Sequence, residues 1–595
     1  VQTCALPIST DHICAIDLGT CNSTIAVFAN NQVQCIPDSV STTAVIPSVV
    51  TYCSGNIYCG SAAKANSCEA NSQVYREVKY IRGRQIKDVR NYKTSCWPFE
   101  LYGNPTVQPE NDNSYPKLTS FRLGGVNGRT TTGYAYPALV DAILLSYMTT
   151  IASRTVGHSI SDAVITVPAS FTESQIYATL EAAELAGLHV LRIVPEPCAA
   201  AIEYTEHAFR YVLVFDFGGG TLDTTLMEYN KDRFRILSTA GDLKLGGREI
   251  DRLMLRKICK IAEEQGGHID PMSRKYQRLL DEMENAKIQL SSVDEVTIDF
   301  SDYFTMDGDD HPLNSPYTLT RDTFNSWIHD LLNQSIIACN ACLEKEGVRL
   351  GSEDAILLTG GSSHIPLVRE MLKENYKDVA IRYNGNPQEV VARGACKMAL
   401  STIGIREPII PSFSLGLSTT YTTIYSFDTE SYVLVREDML HTVINHCTIH
   451  VPSDKKYMPL WQVVNEQPVY IGYVNVSEVA GSEWKVDVSF TRQSLIELKD
   501  VEKNVVVPIQ YGCATPECEF TKFNTLNPFL WKVRKAISKL EELREYPDKK
   551  DVLSLMMKLR GIAADYMFKD VNQACYDYIN KEMIPRLEKY SDLYA

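Results

Sequence analysis

Val214-Phe215-Asp216-Phe217-Gly218-Gly219-Gly220-Thr221-Leu222-Asp223 is the stretch that decides the fold. An apolar run suited to a buried strand carries an acid near its end, turns through three glycines and resumes as a second strand. Much earlier in the chain, Ala15-Ile16-Asp17-Leu18-Gly19-Thr20-Cys21-Asn22-Ser23-Thr24 follows the same plan. Glycine permits backbone turns that other residues resist, and it lets N–H groups come close to a phosphate. Threonine hydroxyls add donors, and an Asp at a strand end can hold Mg²⁺ through its water shell. Two such turns predict a duplicated α/β domain gripping one nucleotide from both sides.

Around the two turns the pattern repeats. After the first come short strands, a stretch over 61–82 that reads as helix, loops or hairpins over 103–133, a helix from about Tyr136, a strand near Ala163–Val167 and a helix from Glu173. After the second come a third strand, three helices and a strand ending in Gly360-Gly361-Ser362-Ser363, then a last helix from about Pro387. Strands and helices repeated as two halves predict two α/β lobes with a cleft between them. Composition changes at Arg406–Pro411, a linker with two prolines. Residues 412–520 read as a β-sandwich-like domain, with alternation in Tyr432-Val433-Leu434-Val435 and Trp484–Phe490. Residues 521–595 read as a helical bundle with an apolar stripe at Leu530, Val533, Ile537 and Leu540.

Bulk properties narrow the function classes. The 595 residues need several cores. A net charge of −15 argues against wholesale binding to nucleic acid or anionic membrane. No apolar run of about 18 residues suggests a membrane span. The 17 cysteines are scattered, several in apolar contexts, which suits reduced thiols in a cytoplasmic compartment. Cys339 and Cys342 form C-x-x-C, yet they sit in a helical pattern and read as core-facing. Residues 1–8 read as a translated sequencing adapter and are set aside from the fold.

The order of motifs resembles the heat-shock protein 70 chaperone family, whose nucleotide domain has the actin-like fold. Asp17-Leu18-Gly19-Thr20 and Phe215–Asp223 match its two phosphate loops, Lys79 its catalytic lysine, Val164–Ala169 its proline-switch segment, and Leu191–Ala201 its connecting segment. Glu284–Lys287 and Gly360–Pro366 match its adenosine-contacting segments. The resemblance implies a nucleotide domain over 9–405, with lobe I at about 9–205 and lobe II at about 206–405, then a substrate-binding β domain and a helical lid.

It also implies roles. Asp17 and Asp216 hold Mg²⁺ through water, with K⁺ a further candidate ion. Lys79, Glu196, Thr221 and Asp223 form the catalytic set that places an attacking water in line with the γ-phosphate of ATP. Gly19, Thr20, Cys21, Asn22, Gly218 and Gly219 cradle phosphates. Gly247, Glu284, Lys287, Ile288, Ser291, Gly360, Gly361, Ser362 and His364 meet the rest of ATP or ADP. The partners implied are unfolded or extended polypeptides, a J-domain co-chaperone and a nucleotide exchange factor.

This chain departs from the family at several positions. Ile288 and His364 stand where arginines usually sandwich adenine, which predicts weaker nucleotide affinity. Cys21 replaces a second threonine, and Ile176 replaces an arginine at a site that couples the lobes to the substrate domain. The rival readings are a specialised homologue that binds ATP with little hydrolysis, a sugar kinase, and a filament-forming actin relative. The β module and helical tail argue against the last two.

Overall fold

The computed structural model describes residues 13–511, apart from internal stretches of which the longest are 90–100, 104–118, 123–133, 307–315 and 403–421. The expected adapter segment, the 406–411 linker and the helical lid lie outside the described residues.

Each lobe is built on a five-strand path with one topology. In lobe I, β1 (Ile13–Asp17), β2 (Asn22–Ala29) and β3 (Gln32–Cys35) form an antiparallel meander. Then β4 (Asp162–Val167) joins parallel to β1, and β5 (His189–Pro195) parallel to β4, giving the order β5-β4-β1-β2-β3. Lobe II repeats this with β6 (Tyr211–Phe217), β7 (Leu222–Asn230), β8 (Arg233–Asp242), β9 (Ala355–Thr359) and β10 (Ala380–Arg382), in the order β8-β7-β6-β9-β10. The duplication read from two turns therefore extends to whole sheets.

The helices are α1 (Gly60–Ala65), α2 (Pro137–Val156), α3 (Glu173–Leu185), α4 (Glu196–Glu203), α5 (Gly247–Glu263), α6 (Arg274–Leu290), α7 (Arg321–Lys345), α8 (Pro366–Asn375) and α9 (Val390–Thr402). They cover both faces of both sheets, which is why the central strands are apolar throughout. Side chains alternate between faces. Cys14 and Ile16 of β1 join the core beneath α2 and α3, whereas Ile13 and Ala15 face α4 and α9. Leu213, Phe215 and Phe217 face α5 to α8, whereas Val212 and Val214 join the same α4–α9 layer. That layer is shared by the two sheets. Its helices meet at Gly394, where a Cβ would lie 1.8 Å from the Ala199 carbonyl oxygen, so only glycine permits the contact. Cys339 and Cys342 are buried in the lobe II core, as their helical context predicts.

Two local expectations are corrected. The 61–82 stretch is not one helix. After α1 and a 3-10 turn it forms a strand, Gln73–Arg76, paired with Val49–Cys53, and then a second 3-10 turn at Val78–Tyr80. Pairing with a distant strand outweighs local helix propensity here. Tyr432–Val435 does not alternate either: Tyr432 and Val433 are exposed while Leu434 and Val435 are buried. A register shift opposite Thr423/Ile424 inserts an extra residue and rotates the strand.

The β domain has two antiparallel sheets around one core. One runs, in order, through 430–435, 422–427, 457–464, 467–475 and 509–511; the other through 445–450, 483–490, 496–500 and 505–507. Val486, Val488, Leu498, Leu460 and Ile471 pack between them. This sandwich rests on lobe I at the start of α3. The Glu173 amide donates to Gln462 Oε1 at 2.9 Å, and the Ser174 hydroxyl to the Ile471 carbonyl at 3.1 Å. The Tyr511 hydroxyl donates to Glu173 Oε2 at 2.9 Å while its ring stacks on Tyr177 with centroids 4.9 Å apart. Ile176, at the expected coupling position, is buried in the lobe I core, against which Leu495 of the β domain also packs. No described helix is long and apolar enough to cross a membrane.

Candidate functional site

The site lies where the two meanders face each other. Asp17 pairs with Thr24 across β1–β2 and with Thr166 across β1–β4. Asp216 holds the equivalent place, paired with Asp223 and Thr359. The duplicated topology thus delivers the two acids to opposite walls of one cleft. The Thr166 hydroxyl donates to Asp17 Oδ1 at 3.2 Å, and the Thr221 hydroxyl to Asp223 Oδ2 at 3.0 Å.

Lys79 does not lie on the helix read over 61–82. It is buried in the 3-10 turn after Glu77, and its Nζ donates to Glu196 Oε1 at 2.8 Å. Glu196 opens α4 immediately after Pro195, where the helix dipole favours an acid. Glu77 itself has φ 57, an uncommon conformation for a residue with a Cβ. Its carboxylate reaches over to lobe II, accepting from Arg248 Nε at 3.2 Å. Lys64 of α1 pairs with Glu284 of α6, and the Tyr80 hydroxyl donates to the Gly220 carbonyl. These contacts tie the outer ends of the two lobes together across the cleft.

The second glycine turn is held from behind. The first amides of α5 donate to it, Gly247 N to Gly218 O at 3.1 Å and Arg248 N to Gly219 O at 2.7 Å. The Ser362 hydroxyl donates to Gly218 O at 2.8 Å. From the front the first turn presses in: a Cβ on Gly219 would lie 2.6 Å from Cys21 Cβ, and one on Gly220 would lie 2.7 Å from Thr20 Cγ2. These glycines are required by the opposite loop as well as by any ligand.

One cavity of about 550 Å³ gathers nearly all the residues singled out from the sequence. Asp17, Gly19, Thr20, Cys21, Asn22, Lys79, Glu196, Asp216, Gly218, Gly219, Thr221 and Asp223 line its inner end. Glu284, Lys287, Ile288 and Ser291 from α6, and Gly360, Gly361, Ser362 and His364 from the turn after β9, line the other. Gly247 stands behind the wall; a Cβ there would meet Ser362 Oγ and Lys287 Nζ. Sequence reasoning missed Arg248, Asp251, Arg369 and the Asn386-Pro387-Gln388 turn, which also line the cavity. Asp251 had a recoverable signal, since it sits four residues after Gly247 on an amphipathic helix and pairs with Lys287 at 2.7 Å.

Charge is unbalanced at the inner end. Four carboxylates, Asp17, Asp216, Asp223 and Glu196, share the cavity with Lys79. Burial, reinforced by Glu196, raises Asp17 to about 7 and Asp223 to about 6. Burial and the acids around it push Asp216 well above the ordinary carboxylate range. Such a set is costly in a dry site unless further positive charge arrives. Among the described residues no three His, Cys, Asp or Glu side chains converge closely enough to hold an ion directly. The oxygen donors suit a hydrated Mg²⁺, which keeps several of its waters. Glu284 is the opposite case: burial would raise it, but Lys64, Arg248 and Lys287 outweigh that and hold it at about 2.

Comparison with known proteins agrees with this architecture. Residues 13–409 match the family described as Hsp70 protein. The chain is 32% identical over 413 residues to the chaperone protein HscA homolog of Colwellia psychrerythraea (strain 34H / ATCC BAA-681), covering 68% of this chain and 62% of that protein. It is 32% identical over 421 residues to the chaperone protein DnaK of Carsonella ruddii (strain PV), covering 68% and 66%. It is 31% identical over 414 residues to the chaperone protein HscA of Klebsiella pneumoniae, covering 68% and 61%. The matches thus span less than two thirds of each of these relatives. With the family match extending over more than half of its length, from the first strand of lobe I to beyond α9, this chain belongs to the Hsp70 family.

Proposed function

We propose that this protein binds Mg²⁺-bound ATP in the cleft between its lobes, hydrolyses it, and uses the cleft's opening and closing to control its hold on extended polypeptides. The observation that carries this reading is the meeting of Asp17 and Asp216, from equivalent strands of opposite lobes, beside the buried Lys79–Glu196 pair. The family membership and the relatives' designation as chaperones support the polypeptide half. Its partners are then a J-domain co-chaperone and an exchange factor, in a cytoplasmic setting.

Bound Mg²⁺ would neutralise phosphate charge, held through water by Asp17 and Asp216. The chain's own residues do the rest. Thr20 donates to phosphate oxygens from its hydroxyl and Thr221 from its backbone N–H, the Thr221 hydroxyl being held by Asp223. Lys79, anchored by Glu196, sets positive charge where the γ-phosphate and the attacking water meet, which stabilises charge developing in the transition state. Asp223, fixed by the Thr221 hydroxyl, orients water. Because the lobes touch through Glu77–Arg248 and Lys64–Glu284, a ligand bridging both walls biases their separation.

Single-turnover ATP hydrolysis by the wild type and by Lys79→Ala tests the enzymatic half. Peptide affinity with and without ATP tests the coupling. A wild type that binds ATP without turning it over is the specialised homologue of the alternative reading, and peptide affinity unmoved by ATP removes the chaperone cycle.

A further inference from the structure

The outer end of the cavity holds a cation that the sequence comparison does not anticipate. Ile288 forms one part of this end and is 58% exposed, a large apolar side chain left uncovered. His364, Ile365 and Arg369 form another part, Arg369 lying on the first turns of α8. Arg369 is partly buried and makes no ion pair among the described residues. Its Nε is buried and has no hydrogen-bond partner. Instead its guanidinium lies over the ring of Tyr383, 4.2 Å from the centroid.

A planar cation backed by an aromatic ring is held flat and only weakly hydrated, which prepares it to stack on a second π-system. The apolar Ile288 and the neighbouring Ser291 and Ser292 complete a surface suited to a flat heteroaromatic ring with polar edges. We propose that Arg369, backed by Tyr383, is the cationic contact for the base of the nucleotide, and a determinant of its affinity. This rests on the nucleotide reading above. It revises the expectation of weakened affinity, because the charge absent from positions 288 and 364 is supplied from α8.

The test is calorimetric titration with Mg²⁺–ATP and with Mg²⁺–ribose 5-triphosphate, which lacks the base. Wild type, Arg369→Ala, Arg369→Lys and Tyr383→Ala are compared after thermal melts establish that each is folded. Arg369→Ala is expected to weaken ATP about tenfold and ribose 5-triphosphate less than about twofold, with Lys restoring part of the loss and Tyr383→Ala falling between. Equal ATP affinity in wild type and Arg369→Ala overturns the proposal, and so does equal loss for both ligands, which would make Arg369 a phosphate or packing residue. A wild type that binds ribose 5-triphosphate as well as ATP also overturns it. A folded wild type that binds neither ligand overturns the nucleotide reading itself, and this inference falls with it.

Discussion

The cleft and the seam between lobe I and the β domain are both built around buried carboxylates, but they handle the charge differently. In the cleft, Asp17, Asp216, Asp223 and Glu196 stand together with one ammonium beside them and open volume in front. At the seam, Glu173 is fully buried and meets neutral donors: the Tyr511 hydroxyl holds Oε2, and Oε1 has no partner. Burial raises Glu173 to about 8, only partly offset by Tyr511 and the Ile496 backbone. Charge in the cleft is relieved most cheaply by any cation that enters its open volume, whereas the seam acid is accommodated most cheaply by taking up a proton.

The largest expected effect falls in the cleft. Lys79→Ala should slow single-turnover hydrolysis by roughly 10²–10³-fold while ATP binding changes only a few-fold, since charge at the reacting centre matters most in the transition state. An unchanged rate would remove Lys79 from the chemistry and leave the two regions indistinguishable in kind. Asp216→Asn comes next. Titration of ATP at graded Mg²⁺ should show roughly a 10–100-fold loss of apparent metal affinity, the scale of losing a group that holds a metal's shell. Retained Mg²⁺ dependence would mean that the acids are structural.

The seam should respond to pH. Glu173 has a docked value of about 8 against an ordinary 4.5, so the docked state holds the proton more tightly. Its contribution to docking is therefore complete below about 4.5 and is lost as pH rises toward 8, changing by at most about tenfold per pH unit. Hydrogen exchange at residues 172–177, corrected for the intrinsic pH dependence, should show weaker protection at pH 8.5 than at pH 6. Glu173→Gln should flatten that difference. Equal protection at the two pH values in the wild type would contradict the contrast drawn here. The smallest effect is expected for Tyr511→Phe, which removes one hydrogen bond worth about 1 kcal/mol and should loosen the seam severalfold at pH 6.

Much of the cleft was legible in advance because its signals are local. Asp17 and Asp216 each sit beside a glycine turn between two apolar runs, and strand–turn–strand geometry carries the acid to the sheet edge wherever such a unit folds. Lys79 was located by motif but misplaced in structure, because its 3-10 turn follows a strand that exists only by pairing with Val49–Cys53. Arg369 was overlooked because α8 brings it beside His364 only once the turn after β9 has folded back. In the sequence Glu173 reads only as the start of a helix. Its Thr172–Gln175 capping box explains the helix but says nothing of the β domain that covers it.

The residues alone determined the duplication, the apolar character of the central strands and the placing of an acid beside each glycine turn, since each depends on neighbours a few positions apart. Tertiary structure decided which helices lie between the sheets, which acids share an open cavity and which is sealed in a seam, and which cation faces the outer cavity. Those outcomes depend on burial and on partners remote in the chain, as at Ala199 with Gly394 and Glu173 with Tyr511. Desolvation is a property of the packed whole, and no local stretch of sequence contains it.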